Sequence, residues 1–274
     1  MSGTSTTFRS LLWAGARIYL LVLLVMAACQ RKLIYHPTRL AETAALPFAA
    51  NQGLQPWRSS EGELIGWTHP SSAPSDRAML VFHGNAGFAG HRGYLAQGFR
   101  PWFHVHILEY PGYGPRSGKP SETAFQLAAS HALGELKLAG YTHIVLVGES
   151  LGSGVAARLA ASESENVHGL FLITPFDSLV SVARGHYPFL PVRLLLRDRF
   201  ESAKHLTNFH GPVAILLAER DEVVPARHGQ ALYDAYHGPK RIWIQSGRSH
   251  NTLDFHPGQT WWTDVAKFLL EDRD

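Results

Sequence analysis

The 274-residue chain has one cysteine, three methionines and no HExxH string. With no second cysteine it forms no disulfide of its own, and cysteine usage does not fix the compartment. The helical zinc-protease motif is absent as well. Charge is sparse, with Asp, Glu, Lys and Arg making up 17% of residues. No acidic residue precedes Leu33, whereas Arg9, Arg17, Arg31 and Lys32 do. The formal net charge is +3, but taking those four from the 25 bases leaves 21 against 22 acidic residues, a net of −1. The basicity belongs to the amino-terminal segment, and no electrostatic case for nucleic acid remains. Internal repeats and linkers rich in Gly, Ser or charge are also missing after Leu33. Residues 33–274 therefore read as one domain, and a hydrophobic content of 45% allows it a large core.

Only one long apolar run is present, Ser10 to Cys29. Its twenty or so residues are enough for a helix across the hydrocarbon, with Arg17 inside the span and obliged to snorkel. A second reading is a signal peptide with Ile18–Ala28 as its apolar region. Its ending, Met26-Ala27-Ala28-Cys29, is similar to a bacterial lipobox with Met in an unusual place. Both readings, a single-pass span or a lipidated Cys29, attach the protein to a membrane through residues 1–32.

Short apolar or β-branched runs then recur at Ala78–His83, Val105–Tyr110, Ile144–Gly148, Leu170–Thr174, Val213–Ala218 and Arg241–Gln245. Helix-like stretches lie between or after them, at Ser121–Ala139, Leu151–Ser162, Ala226–Tyr236 and Gln259–Leu270. This alternation predicts an α/β fold with a mostly parallel, doubly wound sheet and helices on both faces. Trp57–Thr68 alternates more and contains Glu61-Gly62, which predicts an antiparallel hairpin at the sheet edge. Ser178–Phe209 fits no strand–helix step and reads as a cap-like insertion.

Gly148-Glu149-Ser150-Leu151-Gly152 joins the end of one predicted strand to the start of a helix. That context is the nucleophile elbow, in which a strained turn presents a serine and small residues relieve the bend. Serine needs an adjacent base, and in this architecture the acid and then the histidine follow it in the chain. His250, just beyond the last strand, is the expected base, with His256 as competitor. Asp221, three residues beyond Val213–Ala218, is the expected acid, with Asp177 as alternative. Two backbone N–H groups are expected at the oxyanion, those of Leu151 and of Asn85 in His83-Gly84-Asn85-Ala86-Gly87. The stretch Gly112–Pro120 fails the phosphate-loop spacing, and His104 with His106 lacks a third ligand, so no metal or cofactor is expected.

In the order in which they occur, these strings resemble the α/β-hydrolase superfamily, and within it the membrane-anchored BEM46-like serine hydrolases. The likeness runs through Gln30-Arg31-Lys32-Leu33-Ile34-Tyr35-His36-Pro37, the His83–Gly87 string, Glu109-Tyr110-Pro111-Gly112-Tyr113-Gly114 and Gly148–Gly154. It continues through Tyr187–Pro191, Arg197–Phe200, Asp221–Pro225 and His250-Asn251. The chain departs from the family in having Ala218-Glu219-Arg220 where His-Gly commonly precedes the acid. The resemblance implies Ser150 as nucleophile, Asp221 as orienting acid and His250 as base, acting on an acyl ester or acylated substrate. A carboxylic ester or thioester is the expected bond. A serine peptidase and a non-catalytic binding module are the alternatives. Tyr187, Phe189, Leu190 and Leu194–Leu196 either form an apolar acyl pocket or pack the insertion onto the domain.

Overall fold

The computed structural model describes residues 3–74 and 76–271. It begins with α1 (Gly3–Ile34), β1 (His36–Pro37), α2 (Glu42–Asn51), β2 (Gln55–Arg58) and β3 (Leu64–His69). There follow β4 (Arg77–Phe82), β5 (Ala86–Gly87), α3 (Gly93–Phe99), β6 (His104–Leu108), α4 (Glu122–Leu138), β7 (His143–Glu149) and α5 (Leu151–Ser162). The remainder is β8 (Gly169–Ile173), α6 (Leu179–His186), α7 (Val192–Leu195), α8 (Ser202–Leu206), β9 (Val213–Ala218), α9 (Ala226–Ala235), β10 (Lys240–Gln245) and α10 (Trp261–Leu270).

Eight strands form one sheet in the order β10-β9-β8-β7-β4-β6-β3-β2. From β10 to β6 every neighbouring pair is parallel. The expected hairpin, β2 with β3, joins antiparallel at the edge and carries a register shift at Trp57/Arg58. Every residue of β8 and β9 is buried, which is why these strands read as continuous apolar runs rather than alternating ones. One face of the sheet is covered by α4, α5 and α9, whose Phe125, Val155 and Leu232 share a core with Leu80, Leu146 and Ile215. The other is covered by α2, α3 and α10, with Ala49, Leu95 and Trp262 packed beneath Val81, Val147 and Leu216. This is the α/β-hydrolase fold. Ser121 caps α4 by accepting from the Ala124 N–H at 3.1 Å, as its place before the helix predicts.

The segment 178–209 contains three short helices, α6, α7 and α8. The amino-terminal helix runs to Ile34, so the boundary drawn after residue 32 falls inside its last turn. Its stretch Arg9–Ile34 is long and apolar enough to cross a membrane.

Candidate active site

A parallel sheet turns its backbone at the carboxyl ends of its strands, and the expected site residues collect there. Ser150 occupies the turn from β7 into α5 with φ 50° and ψ −115°, a conformation L residues rarely hold. The two glycines that flank it at a distance of two residues are required by space. A Cβ on Gly148 would lie 2.5 Å from the Ser153 Cα, and one on Gly152 would run into the Phe82 carbonyl. The bend is held by Ser150 N–H donating to the Ile173 carbonyl at 2.8 Å and by the Ser153 hydroxyl donating to the Ser150 carbonyl at 2.6 Å.

His250 follows β10 and brings Nε2 to 3.1 Å from the Ser150 Oγ. Its Nδ1 stands 2.7 Å from Asp221 Oδ2. The other carboxylate oxygen of Asp221 accepts from the N–H groups of Val223 at 2.9 Å and Val224 at 2.7 Å. With both oxygens engaged the carboxylate cannot swing, and it takes a proton donor at Nδ1. The tautomer that satisfies this network carries its hydrogen on Nδ1 and leaves Nε2 to accept from the serine hydroxyl. Ser150 and Asp221 are only 8% and 7% exposed.

The strand ends bearing acid and histidine are tied to each other. Arg220 N–H donates to the Arg248 carbonyl at 2.8 Å, and Gly247 N–H donates to the Glu219 carboxylate at 2.6 Å. Glu219 and Arg220 stand where the family pattern differs, and here they supply the link between the two loops. The two alternatives from sequence lie elsewhere. Asp177 pairs with His228 at 2.8 Å rather than with His250. His256 accepts from the Gly258 N–H in the turn before α10.

Asn85 and Leu151 line the same cavity as Ser150. Leu151 opens α5, so its N–H has no acceptor within the helix. The backbone at Asn85 is pinned from several sides. Its carbonyl accepts from the Tyr113 hydroxyl at 2.7 Å and the His36 N–H at 2.9 Å, and its side-chain amide donates to the Ile34 carbonyl at 2.9 Å. The parallel pairing of β1 with β5 matches His36 to Ala86 and Pro37 to Gly87, extending the same attachment. Tyr113, Ile34 and His36 thus hold the loop that carries Asn85. Only their membership of the family strings marked them in the sequence.

Behind this loop lies a buried polar cluster. Glu109 accepts from Trp67 Nε1 at 3.0 Å and from the Ala89 N–H at 3.1 Å. Burial pushes its carboxyl up to about 7, against the opposing pull of those two donors. His83 Nε2 comes within 3.8 Å of it, yet complete burial keeps that imidazole neutral, so the two do not form an ion pair. Glu149, next to Ser150, is bound by Arg92 through Nε at 2.7 Å and Nη2 at 3.3 Å, joining the elbow to the chain leading into α3. Gly114, at φ 50°, packs against Glu109, where a Cβ would sit 2.5 Å from its Oε2. Within the stretch that fails the phosphate-loop spacing, Gly114 therefore makes room for the Glu109 carboxylate.

The cavity over Ser150 measures about 420 Å³ and its walls are mainly apolar. Tyr187, Leu190, Leu195 and Leu196 of the insertion line it. Phe189 and Leu194 do not: they are 88% and 85% exposed, and Phe189 lines a neighbouring groove instead. Composition alone does not tell which side of an insertion an apolar residue faces. A further wall, unforeseen in the sequence, comes from Met26, Gln30, Leu33 and Ile34 of α1. Gln30 is buried and donates to the Leu195 carbonyl at 3.0 Å while accepting from the Arg197 N–H at 2.7 Å. Arg31 grips Asp198 through two bonds of 2.9 and 3.1 Å, and the Tyr35 hydroxyl reaches the same carboxylate at 3.0 Å.

Comparison with known proteins agrees with this architecture. A profile of the alpha/beta hydrolase fold matches residues 77–200. An uncharacterized Mycobacterium tuberculosis protein is 33% identical over 258 residues, covering 91% of this chain and 90% of its own. Protein bem46 of Schizosaccharomyces pombe is 30% identical, covering 73% of this chain and 70% of its own length. The lysophosphatidylserine lipase ABHD12 of Danio rerio is 31% identical over 65% of this chain and 52% of its own. Among solved structures, the Pyrococcus furiosus esterase Pf2001 superposes with a TM-score of 0.61 at 16% identity, covering 86% of this chain and 96% of that one. At that identity the likeness concerns the fold.

Proposed function

The chain belongs to the BEM46-like α/β-hydrolases, and we propose that it cleaves a carboxylic ester or thioester through an acyl-enzyme on Ser150. The observation that carries this reading is the continuous hydrogen-bond path from Ser150, which lines an apolar cavity, through His250 to Asp221.

In the proposed reaction the Ser150 Oγ attacks the carbonyl carbon as His250 Nε2 takes its proton. Asp221 keeps Nδ1 protonated and stabilises the imidazolium, and it stays a carboxylate throughout. The carbonyl oxygen becomes an oxyanion held by the N–H groups of Leu151 and Asn85. Collapse breaks the bond to the alcohol or thiol, which leaves with the proton from His250. Water then gives a proton to Nε2 and attacks the acyl carbon. Collapse of this second oxyanion returns the proton to Ser150 and frees the carboxylic acid. The apolar cavity suits the acyl group, and its volume lies within the range of sites for small molecules.

Hydrolysis of p-nitrophenyl esters and of the matching thioesters, beside aminoacyl anilides, tests the assignment. Turnover of the esters or thioesters that disappears in Ser150→Ala supports it. Cleavage of the anilides alone would make the protein a peptidase.

A further inference from the structure

The cavity over Ser150 does not end at its own walls. A second groove runs along the outer side of the insertion, between Val22 and Met26 of α1 and the loop 185–190. Groove and cavity share Met26, His186, Tyr187 and Leu190, so the two adjoin across these side chains. Gln30 and Arg31 fasten α1 to the insertion beside this passage, and the Tyr19 hydroxyl reaches the Phe189 carbonyl at 2.7 Å farther down the helix. The two elements therefore form one frame around it.

The depth of the groove follows from helix geometry. Arg9 and Arg31 are 22 residues apart, which at 1.5 Å per residue is about 33 Å, close to the thickness of the hydrocarbon. With Arg31 and Lys32 at the headgroups, Met26 lies about 7 Å and Val22 about 13 Å below them, among acyl chains. The insertion suits the same boundary. Its outward side chains Phe189 and Leu194 are apolar and exposed. Residues 178–209 carry five Lys and Arg against two acidic residues. By the same geometry Tyr19, whose hydroxyl holds the Phe189 carbonyl, lies about 18 Å below Arg31, so the apolar tip is seated among the acyl chains, and the basic residues of the insertion suit anionic headgroups above it.

We propose that the substrate is an acyl ester or thioester resident in the membrane, one acyl chain of which reaches Ser150 sideways from the bilayer through the groove between α1 and the insertion. This rests on the hydrolase reading above. The acyl chain need not cross water on its way, because the groove opens at the depth the chain already occupies and adjoins the apolar cavity. The amino-terminal helix is then retained in the mature protein as a wall of the path, beyond its use as an anchor.

The test uses the full chain in vesicles of phosphatidylcholine and phosphatidylglycerol. Two substrates share one leaving group: p-nitrophenyl acetate in the buffer and p-nitrophenyl palmitate in the vesicles. Val22 lines only the outer groove. Val22→Trp is expected to lower palmitate hydrolysis at least tenfold and to leave acetate hydrolysis within twofold. Unchanged palmitate hydrolysis, or an equal loss of both substrates, would overturn the proposal. Acetate hydrolysis that is the same in wild type and Ser150→Ala would overturn the hydrolase reading itself. A second measurement does not depend on filling the groove. An environment-sensitive dye on Phe189→Cys, in a Cys29→Ser background, is expected to be quenched by chain-spin-labelled lipid and shielded from iodide. The reverse pattern puts the tip in water and contradicts the proposal. So does a mature protein whose mass shows Cys29 as its amino terminus, since Val22 and Met26 are then gone.

Discussion

The Tyr113 hydroxyl donates a 2.7 Å hydrogen bond to the carbonyl of Asn85. Tyr113 is fully buried and sits edge-on to Phe125, so it has no freedom to follow the loop if the loop moves. The same Asn85 carbonyl accepts from the His36 N–H, and the Asn85 side-chain amide donates to the Ile34 carbonyl, so the residue is held on both sides of the N–H it presents. If the Asn85 N–H stabilises the oxyanion, Tyr113 is a positioning residue for it. A neutral hydrogen bond contributes about 1 kcal/mol net. Tyr113→Phe is therefore expected to lower kcat for a short ester about fivefold with KM little changed. An unchanged kcat would remove Tyr113 from the mechanism.

Asp221→Asn keeps an oxygen for the Val223 and Val224 amides and turns an N–H₂ group toward His250. The imidazole must then present a lone pair at Nδ1 and carry its hydrogen on Nε2, where it no longer accepts from Ser150. A fall in kcat on the order of 10³ to 10⁴ is expected, with the circular dichroism spectrum unchanged.

Gly152→Ala places a methyl group against the Phe82 carbonyl at the end of β4, backbone that cannot move without disturbing its pairing with β7. Destabilisation of about 3 kcal/mol, at the upper end for overpacking, is expected in chemical denaturation. Gly134 has open space at its Cβ position, so Gly134→Ala within α4 is the control and is expected to be neutral or mildly stabilising.

Glu109 predicts a pH dependence of stability. Its folded carboxyl titrates at about 7 against an ordinary value of 4.5, because burial disfavours the charge. Between those values the folded protein holds a proton that the unfolded chain has released, so stability falls as pH rises through this window. Below it both states are protonated and the group contributes nothing. Above about pH 7 the loss is complete, on the order of 3 kcal/mol. Denaturation at pH 5 and pH 8 is expected to show this decline in the wild type. Glu109→Gln, which cannot ionise, is expected to lack this part of the decline.

The strand–helix alternation was legible because strands covered on both faces are apolar throughout, and Val213–Ala218 matches β9 end to end. The elbow was legible for a related reason: Gly148 and Gly152 leave no room for a side chain, so sequence and geometry are tied. The helices of the insertion were not. At eight, four and five residues, α6, α7 and α8 are too short to show a period. Pro47 inside α2 obscures another. The wall contributed by Met26 and Gln30 was invisible for a different reason. A helix apolar enough to cross a membrane has no single apolar stripe, so its pattern does not mark the face that docks on the domain. Gln30 stands out only once the structure shows it buried between Leu195 and Arg197.

Labelling of the full chain with a fluorophosphonate, followed by peptide mass spectrometry, tests the central claim most directly. The account predicts a single stoichiometric adduct on Ser150, lost in Ser150→Ala and strongly slowed in Asp221→Asn. An adduct on another serine, or wild type reacting no faster than Ser150→Ala, would contradict it.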